Sequence, residues 1–541
     1  MATQASEYDA IIVGGGHNGL VAAAYLARSG ARTVVLESRP HTGGAATTEA
    51  PWPDAPDFRV TRLSYVMSLL PPTIINDLQL ARHGYKIFPM GPYYQAFPEG
   101  GSIKLYADDA KRNHEEVSRW SVRDADAMPR WDAWLAGLAD VLGPLLLTVP
   151  PNLGSRKPRD LAETLRLAWR HRGLNVRTIA DLLDDWFESP QVKGALAVNG
   201  VIGTWAGPYE PGTAYVMAHH SIGDVGDGHL GNWGFQEGGM GAVADAIASA
   251  ARENGAEIRT GARVERLLLN KGGRATGVIL ADGQQLTAKV VVTSLHPRTA
   301  FLDHVGRQNL PDDFVTDIER WKTRSGVVKI NLALAELPDF TADPAPKGTN
   351  LQEHHTGSVE MAPTMPYIEQ AFTEARNGLP ATRPFSDGVI PTAFDKTLCP
   401  DGYHIMSLFT QWVPADWAEK PHTEELQAYA DRMIDCYNEV APNFRDSILH
   451  TDIVGPYEME HDYGLIGGNI FHGELSLEQL FHMRPAPGYA DYRTPVPGLY
   501  YASSATHAGG GVCGIPGMQA AKAALADRRR AARSRRPRPR A

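Results

Sequence analysis

A chain of 541 residues is too long for one hydrophobic core, and 43% apolar with 21% charged residues is an ordinary globular composition, so two or three domains are expected. No run approaches the roughly 18 apolar residues of a spanning helix. Three scattered cysteines, Cys399, Cys436 and Cys513, exclude a disulfide framework, and without a C-x-x-C pair they exclude a thiol-disulfide reductase. Only seven residues precede the first strand and its apolar run, so no secretory signal is expected, and the cysteine usage points to the reducing cytoplasm.

That first run, residues 10–13, meets a G-x-G-x-x-G turn at Gly14, Gly16 and Gly19, with His17 and Asn18 between. A helical segment follows over residues 20–28, then a second apolar run ending on Glu37. In a dinucleotide-binding turn Gly14 permits the tight bend and Gly16 lets the backbone approach a pyrophosphate. Gly19 lets the helix pack on the strand, and the helix N-terminus offers N–H groups to the phosphates. Glu37, 23 residues after Gly14, stands where a carboxylate accepts hydrogen bonds from a ribose diol. Ser38, Arg39, Gly43, Gly44 and Ala45 follow, and the glycine pair leaves room for a long cofactor running on from the pyrophosphate.

The first insert, residues 71–235, reads helical over 108–120, 127–142, 158–169 and 176–187. Residues 141–149 form a short apolar stretch broken by Pro144, read as a buried helix end; a lid at a membrane surface is the alternative. Residues 199–227, rich in glycine and aromatics, suit loops lining a cavity. Glycines at 238, 239 and 241 then open a helix over 242–253, and a strand reaches Val264. The second insert, residues 301–487, mixes strand-like runs such as 327–334 with a helix near 424–440. Its histidines show no metal-ligand spacing, so no metal is expected. Near the end, a strand leads through Ser503, Ser504 and His507 into a loop with Gly509, Gly511 and Gly514, then into a helix over 518–526 behind Ile515 and Pro516. No acid-terminated strand follows, so this is a helix N-terminus aimed at a cofactor held elsewhere. Residues 528–541 hold eight arginines and no acid, leaving −18 on the rest of a chain whose net charge is −10. The block is expected to be a solvated disordered tail; it has no aromatics to stack on bases, so no specific nucleic acid is expected.

Together, residues 8–48, 236–296 and 497–526 resemble the flavin-dependent amine oxidase and phytoene desaturase superfamily. The resemblance implies an α/β fold: a Rossmann-like FAD-binding domain (1–70, 236–300 and 488–527) with a discontinuous mixed-sheet and helical substrate domain (71–235 and 301–487). It implies FAD contacts at Gly14, Gly16, His17, Asn18, Gly19, Glu37, Ser38, Arg39, Gly43, Gly44, Ala45, Val264, Ser504, Gly514 and Ile515. Ser503-Ser504 stands where the family often has Gly-Asp, and Ala45 where it often has a basic residue. The expected activity is desaturase-like: a hydride leaves a carbon of an apolar or amphipathic small molecule for flavin N5, and oxygen, a quinone or another carrier reoxidises the flavin. His507 is the residue to watch for proton transfer, with a loop hydrogen bond as its alternative. Arg62 and Tyr65 are weaker candidates for the substrate side. Two rival readings are an amine oxidase with an aromatic cage from Trp205, Tyr209 and Trp412, and a flavin-bearing regulator with incidental turnover.

Overall fold

A computed structural model describes residues 7–150, 162, 165, 166, 177–226, 231–346 and 350–534. The helix expected over 158–169 lies almost wholly outside them.

The first sheet is built around Tyr8–Val13, whose buried run pairs in parallel with Thr33–Leu36 on one side and Gln285–Thr293 on the other. Glu257–Arg259 extends it beyond Thr33–Leu36, Leu499–Tyr501 pairs in parallel with Gln285–Thr293, and Val264–Leu269 and Ala275–Leu280 continue it antiparallel. Parallel strands buried on both faces need helices as cover. The helix His17–Arg28, with ten consecutive buried residues, supplies it together with Met240–Glu253 and Ile515–Ser534. This is the Rossmann-like fold that the opening motif predicts.

The second sheet runs, in spatial order, Ile448–Val454, Val327–Leu334, His404–Gln411, Phe385–Val389, Ser358–Met361, Tyr93–Ala96 and Ser102–Leu105. All eight residues of Val327–Leu334 are buried, as a central strand between antiparallel neighbours requires. Helices Thr423–Val440 and Met365–Arg376 accompany the sheet. In the first insert, Ala110–Ser118, Val122–Leu146 and Ile179–Trp186 form near their expected places, and Pro190–Ala197 and Thr213–His220 are additional helices. Thr213–His220 occupies part of the stretch expected to be loop.

The arginine block also differs from expectation. The last helix continues through Ser534, because alanine and arginine are good helix formers and Asp527 anchors the turn before them. Both carboxylate oxygens of Asp527 accept from Arg493 at 2.9 Å, and Tyr500 donates to it at 3.1 Å. Residues 535–541 lie outside the described chain.

Two close backbone approaches depend on the absence of a side chain. A Cβ on Gly19 would sit 2.1 Å from the Gly14 carbonyl oxygen, and one on Gly517 would sit 2.0 Å from the Asn18 carbonyl oxygen. Gly517→Ala must therefore push the last helix off the first. Overpacking of this kind costs about 1–3 kcal/mol, so we expect a lower Tm together with lower flavin content; an unchanged Tm would show that the crossing tolerates a methyl group.

Candidate functional site

Gly14 makes the turn after the first strand at φ +97°, beside Ser294. A Cβ on Gly15, a position the motif leaves unspecified, would meet the Glu37 side chain at 3.0 Å. Glu37 is 7% exposed. One of its carboxylate oxygens accepts from the Gly15 N–H at 2.6 Å; the other accepts from the Arg39 N–H at 2.8 Å and the Ser38 hydroxyl at 3.2 Å. The Gly43 N–H donates to the Gly15 carbonyl at 2.9 Å, and Gly43 pairs in parallel with Gly16, so the glycine pair lies against the turn. The Ala262 N–H donates to the Glu37 carbonyl at 2.7 Å, which brings the chain leading to the buried Val264 beside the acid.

The Arg39 side chain turns elsewhere. It pairs with Glu49 at 2.7 Å and lies over the Tyr463 ring at 4.2 Å. Arg62 also pairs with Glu49 and grips Asp452 through two hydrogen bonds at 3.1 and 3.2 Å. Burial alone would raise the Glu49 pKa, but the hydrogen bonds and charges of these arginines hold it below its ordinary value. Arg39 and Arg62 thus join the segment after Glu37 to the second sheet and its neighbouring helix.

From the far end of the chain, Ser504 accepts a hydrogen bond from the Asn18 amide at 3.2 Å. The guanidinium of Arg484 is fully buried and donates to the Ser504 carbonyl at 3.0 and 3.2 Å and to four other carbonyls, fixing this loop. Gly514 adopts φ +66°, where a Cβ would meet Val21, Leu70 and Ile74, and Ile515 is 2% exposed. Both position the helix. A bulky residue at Gly514 would meet this apolar packing.

His507 makes a hydrogen bond that ties its loop, the alternative given for it beside proton transfer. Its Nε2 lies 3.0 Å from the Leu145 carbonyl oxygen, in the last turn of Val122–Leu146, and Gln519 reaches the Leu147 carbonyl oxygen. The last carbonyls of a helix lack intrahelical partners. His507 and Gln519 supply them, tying a substrate-side helix to the glycine-rich loop. The stretch 141–149 is therefore a tethered helix end in which Leu142 and Leu146 are buried while Pro144 and Val149 are exposed.

Between the two sheets lies a cavity of about 690 Å³. His17, Ala45, Ser504, Gly511 and Val512 line its motif end; Leu63, Leu69, Met128, Leu135 and Ile202 give it an apolar wall, and Tyr65, Trp131, Trp233 and Phe409 add rings. Tyr65 lines it as expected, whereas Trp205, Tyr209 and Trp412 do not. Tyr209 is 46% exposed, and Trp412 is buried against Phe372 and Phe385, so these three form no cage around the cavity.

Residues fitting a dinucleotide with a flavin are concentrated at the motif end. His17 Nε2 and Asn18 Oδ1 are buried without a hydrogen-bond partner, and no side chain caps the N-terminus of His17–Arg28. Buried polar atoms are almost always paired, so these two are free to take a hydrogen bond from or give one to a polar group placed there. Burial pushes the His17 pKa down to about 4, which leaves its imidazole neutral at physiological pH. Among the described residues, no cluster of three or more His, Cys, Asp or Glu could hold a metal ion.

Glu360, Asp387, Tyr93 and Phe409 line the same cavity and were missed by motif reading, as was Lys329 behind them. Their signal was polar residues at every second position of otherwise apolar strands, such as Lys329 and Asn331 within 327–334.

Burial also lowers the His507 pKa to about 4. In the unfolded chain the ring protonates near 6.5, so the unfolded state takes up the proton first and stability is lost as pH falls from 6.5 toward 4, by up to about 1.4 kcal/mol per pH unit. His507→Gln keeps a donor for Leu145 and cannot be protonated. Its Tm should fall less than that of wild type between pH 6.5 and 4.5; parallel Tm curves would contradict the buried neutral imidazole.

Comparison with known proteins places this geometry in a family. The model of the NAD(P)-binding Rossmann-like domain matches residues 12–77, and that of flavin containing amine oxidoreductases matches residues 209–518. The chain is 40% identical to pyridine nucleotide-disulfide oxidoreductase domain-containing protein 2 of Rattus norvegicus, over 96% of this chain and 94% of that one. It is 23% identical to the lycopene-forming phytoene desaturase of a Paracoccus species, over 95% and 96%. Cyclohexylamine oxidase of Brevibacterium oxydans shares the fold with a TM-score of 0.58 at 17% identity, covering 96% of this chain and 99% of that one. The protein is a member of the flavin containing amine oxidoreductase family, an oxidoreductase whose cofactor is FAD.

Proposed function

We propose that the chain is a dehydrogenase or desaturase that removes a hydride from a carbon of a largely apolar or amphipathic small molecule while a proton leaves the neighbouring atom for solvent. The observation that carries this reading is the cavity, walled mostly by aliphatic and aromatic side chains and reaching the two glycine-rich segments at His17, Ala45, Ser504 and Val512. Apolar pockets with a few convergent polar groups are the usual form of a small-molecule site. Glu37 would hold the ribose, the Gly14–Gly19 turn the pyrophosphate, and Asn18 with Ser504 the chain leading to the ring. When bound, FAD supplies the hydride acceptor. The protein orients the substrate carbon and excludes water. Electrons then pass to oxygen, a quinone or another carrier, and a peripheral membrane contact would give an apolar substrate a route to the cavity.

Amine oxidation is the second reading, favoured by the family match over residues 209–518 and by the likeness to cyclohexylamine oxidase. Anaerobic mixing separates the two. Under the first, a component of a lipid extract bleaches the flavin and simple amines do not; under the second, amines bleach it. Bleaching by neither would leave a flavin-bearing regulator.

Glu37→Ala removes a buried carboxylate expected to make a charge-assisted contact worth about 1.5–3 kcal/mol. FAD affinity should fall about tenfold to a hundredfold by titration of the apoprotein. Unchanged affinity would mean that the ribose lies elsewhere.

A further inference from the structure

The second sheet carries an unusual polar row on its cavity side. Glu360 pairs directly with Asp387 across antiparallel strands, Asp387 with Phe409, and Phe409 with Lys329, so one cross-strand row holds two acids, an aromatic ring and a lysine. Glu360 is 2% and Asp387 8% exposed, and both line the cavity. The Tyr65 hydroxyl donates to one Asp387 oxygen at 2.5 Å, and its ring stacks on Phe409 at 5.4 Å. Ser358 donates to one Glu360 oxygen at 2.5 Å. The remaining oxygens, Glu360 Oε2 and Asp387 Oδ1, have no donor, and the Tyr93 hydroxyl beside them is also buried without a partner.

Two carboxyl groups in hydrogen-bonding contact cannot both be ionised in so dry a place. Burial, together with the charge of Asp387, pushes the Glu360 pKa well up, and burial raises that of Asp387 against the pull of Tyr65 and Lys329. Glu360 therefore favours holding a proton that it can share with Asp387. Lys329 faces the pair along the row: its nitrogen lies over the Tyr65 ring at 5.0 Å and donates to Asn331 at 3.2 Å and to Ser407, and burial pushes its pKa down to about 7 against the pull of Asp387 and Asp452. When Lys329 is protonated its charge offsets that of the acids, and the row then favours a neutral ligand over a second cation. A carboxyl–carboxylate pair offers one donor and one acceptor side by side, which a hydroxyl group satisfies by accepting from one and donating to the other.

We propose that Glu360 and Asp387, with Tyr93, form the docking point for a hydroxyl head group on an otherwise apolar substrate. The inference rests on the cavity being the substrate site, as in the function proposed above, and adds the chemical class of its ligand: a long-chain or cyclic alcohol. The two acids orient the molecule through its oxygen while its hydrocarbon part fills the apolar wall toward Ala45 and Ser504.

The test uses the FAD-loaded protein and four probes, decan-1-ol, decyl methyl ether, decylamine and decanoate, with perturbation of the flavin absorption spectrum as the binding signal. Decanol should bind about tenfold more tightly than the ether, which cannot donate, and more tightly than either charged probe. Glu360→Gln and Asp387→Asn, which preserve shape, should keep their FAD and reduce the alcohol-over-ether preference to near unity. The wild-type infrared difference spectrum on decanol binding should show a carboxylic-acid carbonyl band that Glu360→Gln loses. Equal affinity for alcohol and ether, tighter binding of decylamine, no perturbation by any probe, or an undiminished preference in both variants would each overturn the proposal. Wild-type protein unable to hold FAD would instead overturn the cofactor geometry beneath it.

Discussion

The close crossing of the first and last helices is the contact on which the site depends. Gly517 lies so near the Asn18 carbonyl that no side chain fits between them, and Asn18 in turn reaches Ser504. Two segments almost 500 residues apart thereby deliver two glycine-rich helix N-termini to one place. Each such terminus presents unsatisfied N–H groups and partial positive charge. Converging, they make a polar cradle that a single turn could not provide, and the orphaned His17 and Asn18 atoms lie within it. The buried guanidinium of Arg484 and the His507 tie to Leu145 then hold the incoming loop at a fixed height above the cavity.

The opposite wall obeys a different constraint. A central sheet buried on both faces should be apolar, yet Lys329, Asn331, Ser407, Asp387 and Glu360 share one side of it. Burying such groups costs free energy unless they pair with one another. They largely do, apart from a few atoms that face the cavity. Polar atoms left open only where they meet the cavity mark a place where specificity, rather than stability, shaped the sequence.

The first strand, turn and helix were legible because each glycine there answers a steric demand that the spacing records: Gly14 by its positive φ, Gly19 by its contact with the Gly14 carbonyl. Glu37 was legible from its offset, and the run 327–334 from its β-branched and aliphatic residues. The role of His507 was not, because its partner, Leu145, lies 362 residues earlier and no local pattern links them. Arg39 sits at a motif position, but its direction was set by Glu49 and Tyr463, which the motif does not contain. The carboxyl pair was hidden in the same way, since Glu360 and Asp387 meet only through strand register.

FAD is expected to thread from Glu37 through the crossing of the two helices and to lay its ring at the motif end of the apolar cavity. A crystal structure of the FAD-loaded protein tests this most directly. The account predicts the isoalloxazine against Ala45, Ser504 and Val512, with its substrate-facing side open toward Tyr65 and Phe409. A ring lying outside the cavity, or an adenosine whose ribose does not meet Glu37, would contradict it.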